Sequence, residues 1–497
     1  MLGSAPNLKS NILILVAVTL LSGCEENPSF FRKKASQIQT IVESGKLKVL
    51  TRFDPTTYYE SAEGFSGLEH DLVQLFAKRL GVEVQFVVPD TFSQILSMIS
   101  AGSADIAAAG LTVTDQRKKS MLFAPGYTTI TEQVVYRART RRPRKISDLN
   151  EGILEVVEGT THVESLMRLK KDHPNLEWDV NTELNTDSLL YLVNDGLIDY
   201  TVADSNQVTL VRRFYPKLHA AFNLSKPREL AWAFPKSDDT SLYNEAVRFF
   251  EDIKKNKTLD QLIERHYGHA ATLGYVDNCT FRKHVKNRLP KFRALFEKTA
   301  LKNGMDWRLL AAIGYQESHW RTNAVSPTGV RGIMMLTQAT AKQLKLTNRR
   351  NPEQSIEGGA RYFLQRKKKF PERIDEPDRT WLALAAYNVG FGHLNDARII
   401  TQEQDRNPDK WIYVKQSLPL LTQKKWYKRT KHGYARGREP VRYVENIRSY
   451  FDLLVWLTQE NVIKKNAMVQ YRVNDDQNPI DDRNSIFDAF QYNKALF

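Results

Sequence analysis

The spacing of hydrophobic residues changes character three times along the chain. The first apolar stretch, 12–21 (ILILVAVTLL), follows a start that carries Lys9 and is about ten residues long, short of the roughly 20 that a membrane-spanning helix needs. Those proportions predict a cleaved export signal over residues 1–24. Residues 25–44 are polar and mixed, and read as a tether. From Gly45, short apolar runs at 47–50, 82–88 and 105–109 alternate with stretches at 71–80 and 92–100 whose apolar residues recur at helical spacing. Strands alternating with such helices predict βαβ units and a mostly parallel sheet. The basic run at 137–145 (RARTRRPRK) interrupts the pattern, which restarts with a strand at 153–157, a helix near Leu166 and a strand at 200–203. Residues 45–270 therefore predict an α/β domain in two lobes. Past residue 271 strand signals nearly vanish. Helical spacing at 290–299, 307–316, 358–369 and 381–387 predicts an all-α domain over 290–462, joined by a linker at 271–289 and followed by a polar, loosely ordered tail at 463–497.

A chain of 497 residues, 41% hydrophobic and 26% charged, with 24 Gly and 19 Pro, fits a multidomain globular protein and excludes collagenous, mucin-like and wholly disordered classes. Lys and Arg number 72 against 57 Asp and Glu, and the formal charge of +15 favours a polyanionic partner: nucleic acid, an anionic membrane face or an acidic wall polymer. Two cysteines, Cys24 and Cys279, are too few for a disulfide framework or a four-thiolate zinc site. His319, His393 and His432 lack the H-E-x-x-H spacing of zinc hydrolases, and the sequence has no Walker loop, Gly-x-Ser-x-Gly elbow or zinc-finger spacing. The expectation is a protein with no metal and no cofactor.

Leu21-Ser22-Gly23-Cys24 resembles the lipobox at which bacterial lipoproteins are cleaved and acylated. The resemblance implies that Cys24 becomes a lipidated mature N-terminus; the alternative is an ordinary cleaved signal with an incidental cysteine. Either reading exports the protein. Glu25, rather than Asp, follows the cysteine, which by resemblance to Gram-negative sorting favours the periplasmic face of the outer membrane. An exported chain seldom meets nucleic acid, so no nucleic-acid partner is expected. The basic stretches 366–369 and 424–431 are then either solvated faces or contacts for wall-peptide carboxylates and anionic lipid.

In the helical part, Asp306 is a plausible N-cap for a helix over 307–316, with Gly304 just ahead as a breaker. Leu310, Ile313, Gly314 and Glu317 fall at i, i+3, i+4 and i+7, which puts Glu317 on the apolar stripe. A carboxyl in apolar surroundings has its charged form disfavoured and its pKa raised, as a general acid near neutral pH requires. The alternative is a helix that frays before Glu317 and leaves it in water.

Two sets of motifs carry resemblances. Residues 64–71 (GFSGLEHD), 110–117 (GLTVTDQR) and 123–125 (FAP) resemble the family 3 extracellular solute-binding proteins, over about residues 45 to 270. That resemblance implies that Thr112 and Arg117 hold a ligand carboxylate, and that Asp204 takes an ammonium group. A guanidinium fork does match a carboxylate bidentately, and a desolvated ammonium needs an opposite charge. The ligand expected is an amino acid or a muropeptide fragment; the alternative is a degenerate scaffold in which Arg117 only caps its loop.

Residues 317–320 (ESHW), 326–335 (SPTGVRGIMM), 386–390 (AYNVG) and Tyr443-Val444 form an ordered set that resembles the soluble-type, goose-lysozyme-like lytic transglycosylases, which cut peptidoglycan glycan strands. Together the resemblances imply a multidomain chain: an α/β two-lobed periplasmic-binding-protein fold followed by an all-α lysozyme-like domain. They imply that Glu317 is the catalytic acid and base at the bond between N-acetylmuramic acid and N-acetylglucosamine, and that the product carries a 1,6-anhydro end. Ser318, Ser326, Met334, Tyr387, Asn388 and Tyr443 are then expected to contact substrate or orient Glu317. Each has a plainer alternative. Ser326 could simply cap the turn at Pro327, Tyr387 and Tyr443 could be packing residues, and Asn388 could end its helix. Relatives with Gly-Leu-Met-Gln have a side-chain amide where this chain has Met335, so no hydrogen bond is carried over to that position. A muramidase that hydrolyses the same bond, and a non-catalytic wall-sensing lipoprotein, remain open on the residues alone.

Overall fold

The computed structural model describes residues 35–61, 64–269 and 275–474. The export-signal reading, the lipidation reading of Cys24 and the tail beyond residue 474 lie outside the described residues.

Each lobe of the first domain is built on a five-stranded sheet. In the first lobe Lys46–Leu50 runs parallel to Glu83–Val87 on one side and Ile106–Ala107 on the other, while Ala233–Pro235 pairs antiparallel with Ile106–Ala107 and Met121–Phe123. The second lobe repeats the scheme. Leu154–Val157 runs parallel to Asp179–Asn181 and Tyr200–Asp204, and Glu132–Arg137 runs antiparallel to Tyr200–Asp204 and Leu218–Asn223. The expected mostly parallel sheet is therefore two mixed sheets. The reason lies in the passages between lobes: Thr128–Ile130 and Arg228–Leu230 pair antiparallel, and each leads with no crossover helix into the strand that runs against its sheet. Helices close the faces, as the periodicity required; Leu72, Val73 and Phe76 of Leu68–Leu80 are fully buried against Leu47 and Val49.

Two segments expected to be connectors belong to domains. Helix Gln37–Ser44, within the stretch read as a tether, buries Ile41 in the first lobe's core and is closed by a Ser36–Gln39 capping box. Helix Tyr275–Asn287, within the stretch read as a linker, places Phe281 in the helical core between Tyr315 and Tyr450. The helical domain also outlasts its expected end, because its last helix, Arg438–Asn474, continues past residue 463.

That last helix packs along both Trp307–Ser318 and Asp378–Val389, and it docks the helical domain onto the lobes. Buried Arg448 donates to Glu264 Oε1 at 3.1 Å and to the carbonyls of Glu264 and Arg265 at 3.0 and 2.9 Å, with its guanidinium 3.8 Å from the centre of the Trp381 ring. One turn on, Asp452 accepts from Arg213 at 2.7 Å, and Trp456 packs on Phe214 and Tyr215. A cavity of about 950 Å³ lies between the lobes and the helical domain, lined by Arg52, Phe92 and Tyr191 on one side and Trp381, Phe451 and Asp452 on the other.

Candidate active site

Glu317 stands near the end of the helix Trp307–Ser318, two residues longer than its spacing predicted. Asp306 is its N-cap, and the carboxylate accepts from the Arg308 amide at 2.7 Å. Leu310, Ala311, Ala312, Ile313, Gly314 and Tyr315 are all buried, so the helix is enclosed by core rather than lying on a surface. His319 ends it in a left-handed conformation, and Trp320 turns back so that its indole donates to the Ala311 carbonyl at 2.8 Å. The helix therefore does not fray before Glu317.

Glu317 is half-buried as a residue with its carboxyl desolvated, and its Oε1 accepts a hydrogen bond from the Tyr443 hydroxyl at 2.5 Å. Burial pushes its pKa from 4.5 up to about 7, and the Tyr443 hydrogen bond pulls only part of that back. Among the described residues no charged neighbour contributes to that shift, neither a cation that would hold the carboxylate ionised nor a second carboxylate. Near neutral pH the group holds a proton that it can give and take back.

Aromatic rings form one wall of the site. The Tyr387 and Tyr443 rings are nearly parallel with centres 6.3 Å apart, and Tyr362 meets Tyr387 edge-on at 5.0 Å. Burial, with the Glu317 charge adding to it, raises the hydroxyl pKa values of Tyr387 and Tyr443 well above 10, so both remain donors. Tyr387 donates to the carbonyl of Met334 at 3.2 Å, and the Met334 amide donates to Ser355 at 3.2 Å. Met334 is fully buried, and two helical glycines make its space: a Cβ at Gly359 would lie 2.5 Å from its Cε and one at Gly314 would lie 3.2 Å from its sulfur. Gly332, at φ +88°, brings the loop so close to the Arg349 carbonyl that a Cβ would sit 1.9 Å from its oxygen.

The expected residues thus fall into two groups. Glu317, Tyr443, Tyr387 and Met334 are linked by direct contact or one hydrogen bond. Asn388 follows Tyr387 and is exposed beside the site, before Gly390 ends the helix. Ser326 is placed differently: its hydroxyl accepts from the Val330 amide at 3.1 Å and meets Thr328 at 3.0 Å, which closes the turn around Pro327, and it makes no hydrogen bond to Glu317 among the described residues. Ser318 is also local, donating to the Gly314 carbonyl and accepting from the Arg321 amide. Tyr362 and Ser355 were not foreseen. Gly358-Gly359 in the helix Pro352–Lys368 is the sequence signal that a neighbour packs closely there, but nothing in the sequence says which.

In the first domain Arg117 is buried and spans the cleft between the lobes. Its Nη1 donates to the Thr112 carbonyl at 3.2 Å, and its Nη2 donates to the Gly159 carbonyl of the second lobe at 3.0 Å. Asp204 lies 3.1 Å from His162 Nε2 and caps the helix Ser205–Val211 with Gln207. Gln207 in turn donates to Asp54 across the cleft at 2.5 Å. Thr112, Arg117 and Asp204 are therefore gathered and enclosed, and none of them lines the 950 Å³ cavity. Among the described residues no group of three or more His, Cys, Asp or Glu could hold a metal ion, and no helix is long and apolar enough to cross a membrane.

Comparison with known proteins matches both halves. Residues 294–411 match the transglycosylase SLT domain, and residues 46–269 match the bacterial extracellular solute-binding proteins, family 3. An ancestral amino acid-binding protein of known structure, a precursor of cyclohexadienyl dehydratase, aligns at 26% identity and a TM-score of 0.42 over 47% of this chain and 100% of its own. Membrane-bound lytic murein transglycosylase F 1 of Alkalilimnicola ehrlichii is 48% identical over 85% of this chain and 86% of its own length. The transglycosylases F of Saccharophagus degradans and Stutzerimonas stutzeri are 47% and 44% identical, covering 86% and 90% of this chain and 86% and 91% of their own. With both domains matched in order and the similarity running through most of the chain, this protein belongs to the membrane-bound lytic murein transglycosylase F family.

Proposed function

We propose that this protein is a peptidoglycan lytic transglycosylase that cuts the bond between N-acetylmuramic acid and N-acetylglucosamine with Glu317 as its one acid and base. The observation that carries the reading is the isolation of Glu317: a desolvated carboxyl with a pKa of about 7, held by Tyr443, with no second carboxylate acting on it among the described residues. Ordinary retaining and inverting glycosidases use two carboxylates, one of them ionised beside the sugar ring. With a single acid, the substrate must supply the second group. Glu317 gives its proton to the bridging oxygen as the bond to the muramic anomeric carbon breaks, and the bonding pair leaves with that oxygen. The muramic 2-acetamido carbonyl oxygen stabilises the anomeric carbon by bonding to it. Glu317, now a carboxylate, takes the proton of the 6-hydroxyl, whose oxygen attacks the anomeric carbon and displaces the acetamido oxygen. The products are a 1,6-anhydro end and a free 4-hydroxyl, no water is consumed, and Glu317 is protonated again.

Tyr443 orients the carboxyl, Tyr387 fixes the Met334 loop against it, and exposed Asn388 offers an amide to the sugar. In the first domain, Arg117 and Asp204 supply the cation and anion for a zwitterionic amino acid or muropeptide, whose carboxylate replaces the carbonyl contacts that Arg117 makes here. The location that fits this reading is the periplasmic face of the outer membrane, with attachment through Cys24; the names of its relatives support attachment to a membrane.

Mass spectrometry of products from purified peptidoglycan tests the catalytic reading. Anhydro ends that disappear with Glu317→Gln are expected; reducing ends would make the enzyme a hydrolase, and no cleavage would defeat the reading. For the first domain, calorimetric titration with amino acids and muropeptides is expected to give heat that Arg117→Met abolishes. Silence with every ligand would leave the domain a scaffold.

A further inference from the structure

Two basic stretches far apart in sequence both pack on the start of the helix Phe391–Glu403, at one corner of the helical domain. The helix Pro352–Lys368 ends in Arg366, Lys367 and Lys368, and the next residue, Lys369, holds its ammonium 5.0 Å from the centre of the Phe391 ring. Phe391 packs against Phe370 at 5.3 Å. Adjacent Gly392 seats the other stretch, since a Cβ there would lie 2.8 Å from the His432 ring. The His432 amide donates to Asp396 at 2.9 Å, and the His393 and His432 rings are 5.9 Å apart. Residues 424–438 are thus anchored on residues 391–396, immediately after Asn388 and Gly390, and run straight into the helix that carries Tyr443.

This segment is cationic, aromatic and exposed. Lys425 and Arg429 stand 5.7 Å from the centre of the Trp426 ring, and Tyr434, 56% exposed, meets Tyr427 edge-on at 5.8 Å. Some charges here are matched: Lys367 with Glu376, Arg429 with Glu403, Arg436 with Glu439. Lys368, Lys369, Lys424, Lys425, Lys428 and Lys431 are exposed, and none forms an ion pair among the described residues. The segment also lies beyond residues 294–411, the span shared with the transglycosylase domain at large.

We propose that this corner is a docking surface for the carboxylate-bearing peptide stems of the glycan strand that Glu317 cuts. The proposal rests on the reading that peptidoglycan is the substrate. Stems project from the same strand that must lie beside Asn388 and Tyr443, so a cationic surface bordering those residues meets their carboxylates while the sugars occupy the cleft. Exposed lysines act as point charges and each contact is weak, but stems recur along the strand, so several weak contacts hold it together. An anionic membrane would also attract the lysines, yet it would have no need of a position next to the sugar-cutting residues.

The test uses the full mature protein and a variant with Lys424, Lys425, Lys428 and Lys431 all changed to Gln. Binding is measured by co-sedimentation with intact sacculi, with sacculi stripped of peptide by an amidase, and with phosphatidylglycerol vesicles. The expected result is about tenfold weaker binding to intact sacculi, unchanged binding to stripped glycan, and retention of binding when the four residues are Arg instead. The half-saturating concentration of intact sacculi rises by a similar factor while kcat is kept. Equal losses on stripped glycan, or no loss on intact sacculi, overturn the proposal, and a loss confined to vesicles assigns the corner to the membrane. Should the wild type release no anhydro ends from either glycan, the catalytic reading fails, while sedimentation still judges the corner.

Discussion

Replacing Glu317 by Gln removes an ionisable group and keeps an oxygen for the Tyr443 hydroxyl, which makes the stability of the variant a direct reading of the buried acid. The Glu317 pKa rises from 4.5 to about 7 on folding. Between those values the folded chain holds a proton that the unfolded chain has released, so wild-type stability falls as pH rises through this window and stays at the lower level above it. At 1.36 kcal/mol for each pKa unit, the loss is about 3 kcal/mol by pH 8. Gln carries no such pH dependence. The variant is therefore expected to match the wild type within a constant offset near pH 4.5 and to gain about 3 kcal/mol on it by pH 8, moving the unfolding midpoint of a unit this size up by about 6–12 °C. Glu69 and Asp187, also pushed up to about 7 by burial, titrate in both proteins and cancel in the difference. Differential scanning calorimetry of the full chain across pH 4.5–8 measures it. A difference in midpoint that stays flat with pH, or that favours the wild type at pH 8, would refute the claim that Glu317 is desolvated.

Tyr443→Phe removes a hydrogen bond that favours the ionised form of Glu317, so the alkaline limb of the pH–rate profile is expected to move up by about one pH unit while the maximal rate falls; an unmoved limb contradicts the pairing. Gly359→Ala forces a methyl within 2.5 Å of Met334 Cε and within 2.8 Å of its Cβ, and is expected to cost about 1–3 kcal/mol in denaturant unfolding and to lower kcat through the Met334 carbonyl that holds Tyr387. Arg448→Met leaves three hydrogen bonds to Glu264 and Arg265 unmade, and is expected to expose the helix Thr258–Tyr267 to limited proteolysis at a concentration of protease that leaves the wild type intact.

The elements of the fold were legible wherever periodicity and local chemistry agreed. The helix Phe92–Ser100 has the bounds its spacing gave, and Asp306 caps the Glu317 helix as its position before Trp307 implied. Where the signal was sparse it was lost: Phe281 is the fully buried core residue of Tyr275–Asn287, with Val285 packed beside it, and one phenylalanine among mostly polar residues reads as a linker. The strands Glu132–Arg137 and Ala233–Pro235 went unread beside basic and irregular stretches, and with them the mixed character of both sheets.

The division at the active site follows the range of the forces involved. That Glu317 shares a stripe with the apolar residues of its helix is a property of a few neighbouring positions, so the order of residues determined it. How far its proton is held depends on two things that lie outside the helix: the burial that raises the Glu317 pKa to about 7, and the hydroxyl 126 residues away that pulls part of that rise back. Desolvation is summed over everything packed around a group, and packing is not local in sequence. For the same reason Ser326, next to Glu317 in motif order, turned out to close its own loop, whereas Lys369 and His432 were brought to adjacent residues of one corner by the fold alone.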